Sequence, residues 1–411
     1  MRRIVLAVLT TLLACRAPAG EKLTQPEAEA AVTAALPELE AIRGLTFKKK
    51  VPVKVVDDAE ARAYALARFK RMTPDAKIAA DTKAYQLLGL VPPGTDILAT
   101  MLDVLEEQAG GFYDPQTKSF YLLDDMPRMM TGPLTTHEMT HALEDQYYDI
   151  DGRIEKVLDD DDAAFAVAAV AEGSASLTMA VSMARAIASG KLDAQALSAM
   201  ADSEAGRAEK LDAMPGVLRR QLLGPYVLGA LFLSHGDLAT TAGGYPQADA
   251  KAVWDKLPRS SEQILHPQKY WDPAKRDEPL AVTVPDCASV LGEGWARAGR
   301  GVLGELTIGG LVGASAPSSR DEKAMTSAAL WTVGAAAGWG GDRFELWKKG
   351  DEAIVLLLTR WDTPGDATEF ETALRASSPA LHARRSGTTV AVVAGAAADK
   401  LEPLLDRLVA R

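Results

Sequence analysis

The chain is short of cysteine, histidine and basic charge, and each shortage closes off a class of protein. Two cysteines in 411 residues, Cys15 and Cys287, are too few for a disulfide scaffold. Lys and Arg number 45 against 56 for Asp and Glu, leaving a net charge of −11. That excess of acid excludes a nucleic-acid partner, because phosphate binding needs clustered cations. The one short basic run, Lys48-Lys49-Lys50, precedes an apolar strand and reads as its solvated entry. No stretch beyond the N-terminus reaches the roughly 18 consecutive apolar residues of a membrane span. There is no internal repeat and no low-complexity tract. What is present, 47% hydrophobic and 25% charged residues, is the composition of a folded chain, and its length makes two domains the natural expectation.

The first residues differ in kind. Arg2 and Arg3 supply positive charge, and Ile4 to Ala14 are apolar residues and threonines only. A stretch that short cannot span a bilayer, which takes about 20 residues, so it reads as an export signal. It ends in Leu12-Leu13-Ala14-Cys15, similar to the bacterial lipobox, in which the cysteine becomes the lipidated N-terminus. The plainer alternative is cleavage after Ala17 or Ala19. Either way the mature protein is expected outside the cytoplasm. With Cys15 lipidated it is a cell-envelope lipoprotein held to a membrane, and Arg16 points to the outer membrane or a periplasm-facing position. Cys287 then stands alone, without a disulfide partner.

The expected divisions are residues 1–15 as signal, 16–25 as tether, 26–280 as a first domain and 281–411 as a second. In the first domain a helix over Glu27–Arg43 leads to a strand at Val51–Val56. Asp57 with Glu60 makes a capping-box start for a helix over Ala61–Arg71. A helix at Thr95–Gln108 precedes the stretch Gly110–Leu122, in which two short aromatic-rich runs flank an Asp-Pro turn, hence a β-hairpin. Helices follow over Pro133–Gln146, Asp159–Ala184 and Val217–Ser234, then an extended segment at Leu257–Tyr270. The four aspartates Asp159–Asp162 read as helix-start charges favoured by the macrodipole, with a calcium site as the alternative. In the second domain the expectation is a helix over Val290–Val312, a loop at 315–319, a helix over Asp321–Thr332, and then a β-β-α-β-α tail. Thr363-Pro364-Gly365-Asp366 opens the first tail helix. The fold class is α+β, mainly helical.

Chemistry concentrates in Leu134-Thr135-Thr136-His137-Glu138-Met139-Thr140-His141. Two histidines four apart on a helix project from one face, one turn apart, where two nitrogens can share one Zn²⁺ at about 2.0–2.1 Å. Glu138 lies between them in sequence, rotated about 100° around the helix from His137, placed to act on a water rather than on the metal. With histidine this rare, five in 411 residues, such a pattern arises by chance in roughly one of 200 such chains. A third ligand is required, and Glu172 offers one. It is a lone acid in Ala168-Ala169-Val170-Ala171-Glu172-Gly173-Ser174-Ala175, where a carboxylate is costly to bury unless paired or ligating. Gly173 and Ala175 would let its helix approach the metal helix closely.

The order of hairpin, H-E-x-x-H helix, connector and Glu helix resembles the thermolysin-like gluzincin zinc metallopeptidases. In detail, His-Glu-Met-Thr-His-Ala-Leu-Glu-Asp-Gln and Glu-Gly-Ser-Ala are similar to a group of bacterial and archaeal peptidases of that superfamily. Gly111-Phe112-Tyr113-Asp114-Pro115, the stretch Ser260–Tyr270 and the stretch Ala336–Arg343 also resemble that group. The resemblance implies a gluzincin-like domain with one Zn²⁺ on His137, His141 and Glu172, and Glu138 as catalytic base. It further implies a peptide or protein substrate that pairs with the hairpin strand nearest the metal helix. The transition-state stabiliser stays open between His266 and Tyr226, with Tyr147 and Tyr148 as outer candidates. His235 and His382 read as ordinary surface or core residues. Asp145 and Glu144 are candidates to orient a bound imidazole. Two other readings are weighed beside the peptidase: a catalytically silent zinc-binding envelope module, and hydrolysis of a non-peptide bond or trimming of free N-termini by the same site.

Overall fold

The computed structural model describes residues 22–410, except 109, 194, 196–207, 316, 319–320, 322, 324–325 and 396–397. Cys15 and the whole 1–15 signal lie outside the described residues. The chain is a mixed α+β protein in which helices predominate.

The first elements are α1 (Gln25–Arg43), β1 (Val53–Val56), α2 (Asp58–Met72), α3 (Asp75–Leu87), α4 (Ile97–Gln108), β2 (Gly111–Asp114) and β3 (Ser119–Leu123). Next come α5 (Arg128–Tyr148), α6 (Ile150–Glu155), α7 (Asp161–Ala188), α8 (Ala208–Ala213), α9 (Gly216–Leu233), α10 (Gln247–Asp255), α11 (Ser261–Leu265), α12 (Gln268–Trp271) and α13 (Ala288–Leu291). The last third holds β4 (Ala296–Gly301), α14 (Gly304–Leu311), β5 (Trp339–Lys349), β6 (Glu352–Trp361), α15 (Pro364–Ser377), β7 (His382–Ser386), β8 (Thr389–Ala394) and α16 (Ala398–Val409).

Local chemistry accounts for many of the boundaries. Asp57 and Glu60 cap each other's backbone N–H, at 2.8 and 3.2 Å, and α2 starts there. Thr363 and Asp366 do the same for α15. Asp160 caps α7 by accepting from Ala163 N at 2.9 Å, and Asp162 accepts from Ser261 N at 3.0 Å.

Four expectations do not match the structure. The stretch Val290–Val312 is not one helix, because glycines in positive φ at 292, 294 and 304 cut it, and β4 forms between them. The segment Leu257–Tyr270 is not extended: Ser260 caps α11 through Gln263 N, and Pro267 opens α12. Within Asp321–Thr332 the described residues hold only a single 3₁₀ turn, Ala328–Leu330. The expected β-β-α-β-α tail gains β7, which pairs antiparallel with β8.

Two sheets result. The smaller has order β1-β3-β2, with β1 parallel and β2 antiparallel to β3, so β2 is an edge strand. The larger has order β4-β5-β6-β8-β7. Alternation along β6 divides its side chains, as a period of two requires. Ala353, Val355 and Leu357 join the main core, whereas Ile354, Leu356 and Leu358 pack with α13 and α16. The main core runs from Ile42 to Ala394, crossing position 280. At that crossing Asp342 accepts from Leu303 N and Gly304 N at 2.8 and 2.9 Å, beside the Asp162–Ser261 contact.

Helix α7 is long and apolar enough to cross a membrane by length and composition, but 78% of its most apolar window is buried within the protein. It packs along α9 at a crossing of two glycines. A Cβ on Gly173 would stand on the backbone of Gly229, and a Cβ on Gly229 would stand on the Ala169 carbonyl. Gly173 therefore serves contact with α9, not the approach to the metal helix expected for it. Gly229→Ala should overpack this crossing and cost about 1–3 kcal/mol, read as a lower urea midpoint. An unchanged midpoint would show that the helices do not need this separation.

Candidate metal centre

Helix α5 is buried around nearly its whole circumference from Met130 to Asp145, and its two histidines meet α7 there. The structure brings three side chains together. Glu172 Oε2 lies 3.0 Å from His137 Nε2 and 3.5 Å from His141 Nε2. The two rings stand edge to face, with centroids 4.8 Å apart. Ligands held tetrahedrally at about 2.0–2.1 Å from one zinc ion stand about 3.3 Å apart. The observed spacing brackets that value.

Burial sets the electrostatics. It pulls both imidazoles down to about 4, so they are neutral, with a lone pair to offer, at neutral pH. It pushes the Glu172 carboxyl up to about 7, against the hydrogen bonds from His137 and Tyr226 that favour the anion. His141 Nε2 and Glu172 Oε1 are buried and make no hydrogen bond. Buried polar atoms are ordinarily satisfied, and two such atoms in one cluster fit ligands for a cation. His137 Nδ1, which in a bound imidazole would donate to an oxygen, has no acceptor among the described residues. The set of two imidazoles and one carboxylate fits zinc.

Glu138 belongs to the same cluster, with the ligand atoms of His137, Glu138 and His141 all within 4.8 Å of one another. Its Oε2 accepts from the backbone N–H of Tyr113 at 2.8 Å, tying α5 to the outer side of edge strand β2. Tyr226, from α9, stacks on His137 with ring centroids 5.9 Å apart, and its hydroxyl hydrogen-bonds Glu172. Burial pushes the Tyr226 hydroxyl well above its ordinary value, keeping it a proton donor. The Gly173–Gly229 crossing sets this contact, since Glu172 adjoins one glycine and Tyr226 precedes the other by three residues.

The remaining candidates lie elsewhere. His266 Nε2 is engaged by Glu305 Oε1 at 2.9 Å, an oxygen that also accepts from Thr332 Oγ1 at 2.6 Å. Asp145 holds the hairpin instead of an imidazole, accepting from the Tyr113 hydroxyl at 2.8 Å and from Lys118 Nζ at 2.6 Å. Glu144 is bound by Arg43, Ser174 and Trp254. Tyr147 donates to Thr46 O, and Tyr148 stacks on Trp254. His235 is exposed, beside Asp249 and against Trp271, and His382 is exposed on β7. A second acidic group, Glu262 with Asp277 and Asp362, already surrounds a cation, the Lys269 ammonium, at 2.6, 2.9 and 3.1 Å.

Sequence reasoning missed Tyr113 and Arg43. The Gly-Phe-Tyr-Asp-Pro stretch stood out, but nothing in it says that a backbone N–H would reach Glu138. Arg43 looks like an ordinary basic residue ending a helix.

Among known families, one described as a domain of unknown function (DUF8575) matches residues 291–405. That match leaves out α5 and α7. No curated protein matches the chain. No solved structure matches it either.

The purified protein should hold about one zinc per chain after dialysis, measured by elemental mass spectrometry. His137→Ala and Glu172→Ala should each lose most of it, and full retention by Glu172→Ala would remove that residue from the ligand set.

Proposed function

We propose that this chain is a zinc metallopeptidase with a gluzincin-like catalytic domain, which hydrolyses peptide bonds at the cell envelope. The observation that carries the reading is the convergence of Glu172 Oε2 on His137 Nε2 and His141 Nε2, with Glu138 beside them. His137, His141 and Glu172 would hold the ion. A bound zinc supplies Lewis acidity and makes water acidic enough to attack at neutral pH.

The protein's own groups do the rest. Glu138 takes the proton of the attacking water and delivers it to the leaving amine nitrogen. The Tyr113 N–H fixes the Glu138 carboxylate, which narrows the directions from which it accepts that proton. Tyr226 is the better placed of the two stabiliser candidates, because its hydroxyl already reaches Glu172 while His266 is held by Glu305. In the reaction it would donate to the oxyanion that develops as the carbonyl is attacked. Edge strand β2 lies beside Glu138, but it is buried and its outward Tyr113 N–H is held by that carboxylate, so an extended substrate pairs with it only once this contact opens.

One observation favours a second reading, a zinc-holding but catalytically silent envelope module. His137, Glu138, His141 and Glu172 are each no more than 2% exposed, so a substrate reaches them only when covering side chains move. Substitution separates the two. Glu138→Gln should keep the zinc and lose about 10²–10⁴-fold in peptide hydrolysis. Tyr226→Phe should keep the zinc and lower kcat about 10²–10³-fold. A protein with no activity on a broad peptide library, or an active Glu138→Gln variant, would sink the peptidase mechanism.

The envelope location rests on the lipobox-like Leu12-Leu13-Ala14-Cys15. Cys15→Ser should abolish incorporation of labelled fatty acid and shift the protein from the membrane to the soluble fraction. Unchanged membrane retention without label would leave the plain signal peptide or another anchor.

A further inference from the structure

Behind the two ligand-bearing helices lies a buried polar network that the chemistry above does not use. Arg43, the last residue of α1, is 4% exposed. Its Nη2 donates to Glu144 Oε1 at 2.6 Å and its Nη1 to Ser174 Oγ at 2.6 Å. Glu144 stands three residues past His141 on α5, and Ser174 two residues past Glu172 on α7. One guanidinium therefore grips both helices, each within a turn of a ligand.

The contacts leave little slack. Ser174 Oγ also donates to Glu144 Oε1 at 2.6 Å, and so must accept from the Tyr245 hydroxyl at 2.7 Å. That uses its one donor and both its acceptor positions. Trp254 Nε1 donates to the same Glu144 oxygen at 2.9 Å, and the Arg43 guanidinium lies over the Tyr245 ring, 4.3 Å from its centroid.

A buried ion pair gains little net stability over well-packed apolar side chains. What a planar, forked guanidinium does supply is direction, since its two bonds fix the relative placement of their acceptors. Here the acceptors ride on the two helices whose spacing sets the distance from His141 to Glu172. We propose that Arg43, Glu144 and Ser174 are positioning residues, which hold His141 and Glu172 at the separation that metal coordination requires. The assignment rests on the metal reading of this site.

Cobalt(II) in place of zinc gives a visible d–d band whose position and intensity report ligand geometry. Cobalt titrations of the full purified protein, with thermal midpoints alongside, test the assignment in Ser174→Ala, Arg43→Met and Arg43→Lys. Ser174→Ala should fold, shift the band, weaken cobalt binding about 10–100-fold and lower kcat with KM unchanged. Arg43→Met should do the same more strongly, and Arg43→Lys, which restores charge without the fork, should recover only part of the loss. If Arg43→Met does not fold, Ser174→Ala decides. Variants with lowered thermal midpoints but wild-type band, affinity and kcat would make the network structural only and overturn the assignment. A wild-type protein that takes up no cobalt and no zinc would overturn the metal reading first, and this assignment with it.

Discussion

A carboxylate in the middle of an apolar helix is the constraint to which much of this fold responds. Glu172 sits on α7 among buried alanines and valines and is itself fully buried. An ionised group in such a place needs compensation of several kcal/mol. Two imidazoles from α5 and one phenol from α9 face it, so three helices have to meet at one point. Small side chains follow from that demand. Alanines at 163, 164, 166, 168, 169 and 171 keep much of α7 slim, and glycines at 173 and 229 let α9 come close enough for Tyr226 to reach in.

Around this centre the polar groups sort by what they hold still. The Tyr113–Glu138 contact ties edge strand β2 to α5, while Asp145 fastens the same hairpin through the Tyr113 hydroxyl and Lys118. A further buried pair, Arg68 with Asp114, holds the turn end of the hairpin at 3.0 Å. The hairpin is thus joined to α5 by three hydrogen bonds and to α2 by the Arg68–Asp114 pair. Preorganisation of this kind is what a site needs if reacting groups are to meet within a few tenths of an ångström.

Much of this was legible in the sequence, and for physical reasons. The i, i+4 histidines need only helical periodicity to be placed on one face, and Glu172 stood out because a lone acid in an Ala-rich run has no cheap alternative. The hairpin and the starts of α2 and α15 were readable from turn and capping chemistry, which acts over three or four residues. What escaped depends on distant partners. Glu144 and Asp145 looked like neighbours for an imidazole, but Arg43 and Tyr113, more than 30 residues away in sequence, claim them. Gly173 announced a close approach without saying to which helix. Glycines between 292 and 304 were absorbed into an apolar helix, although their positive φ values make β4 the better use of that stretch. Helices α3 and α10 went unread because their apolar positions are few and their ends carry weak signals.

The junction of Asp162 with Ser261, next to Asp342 and the start of α14, bears on how the molecule is made. The ribosome delivers the chain from its N-terminus, so His137, His141 and Glu172 emerge long before Ser261, which binds Asp162 in the first turn of α7. Until residue 261 has been synthesised, Asp162 lacks the N–H that it accepts from, although the Asp160 cap of the same helix is already complete. The link between the first turn of α7 and α11 thus closes only after His137, His141 and Glu172 have been made, so a chain stopped before residue 261 lacks it.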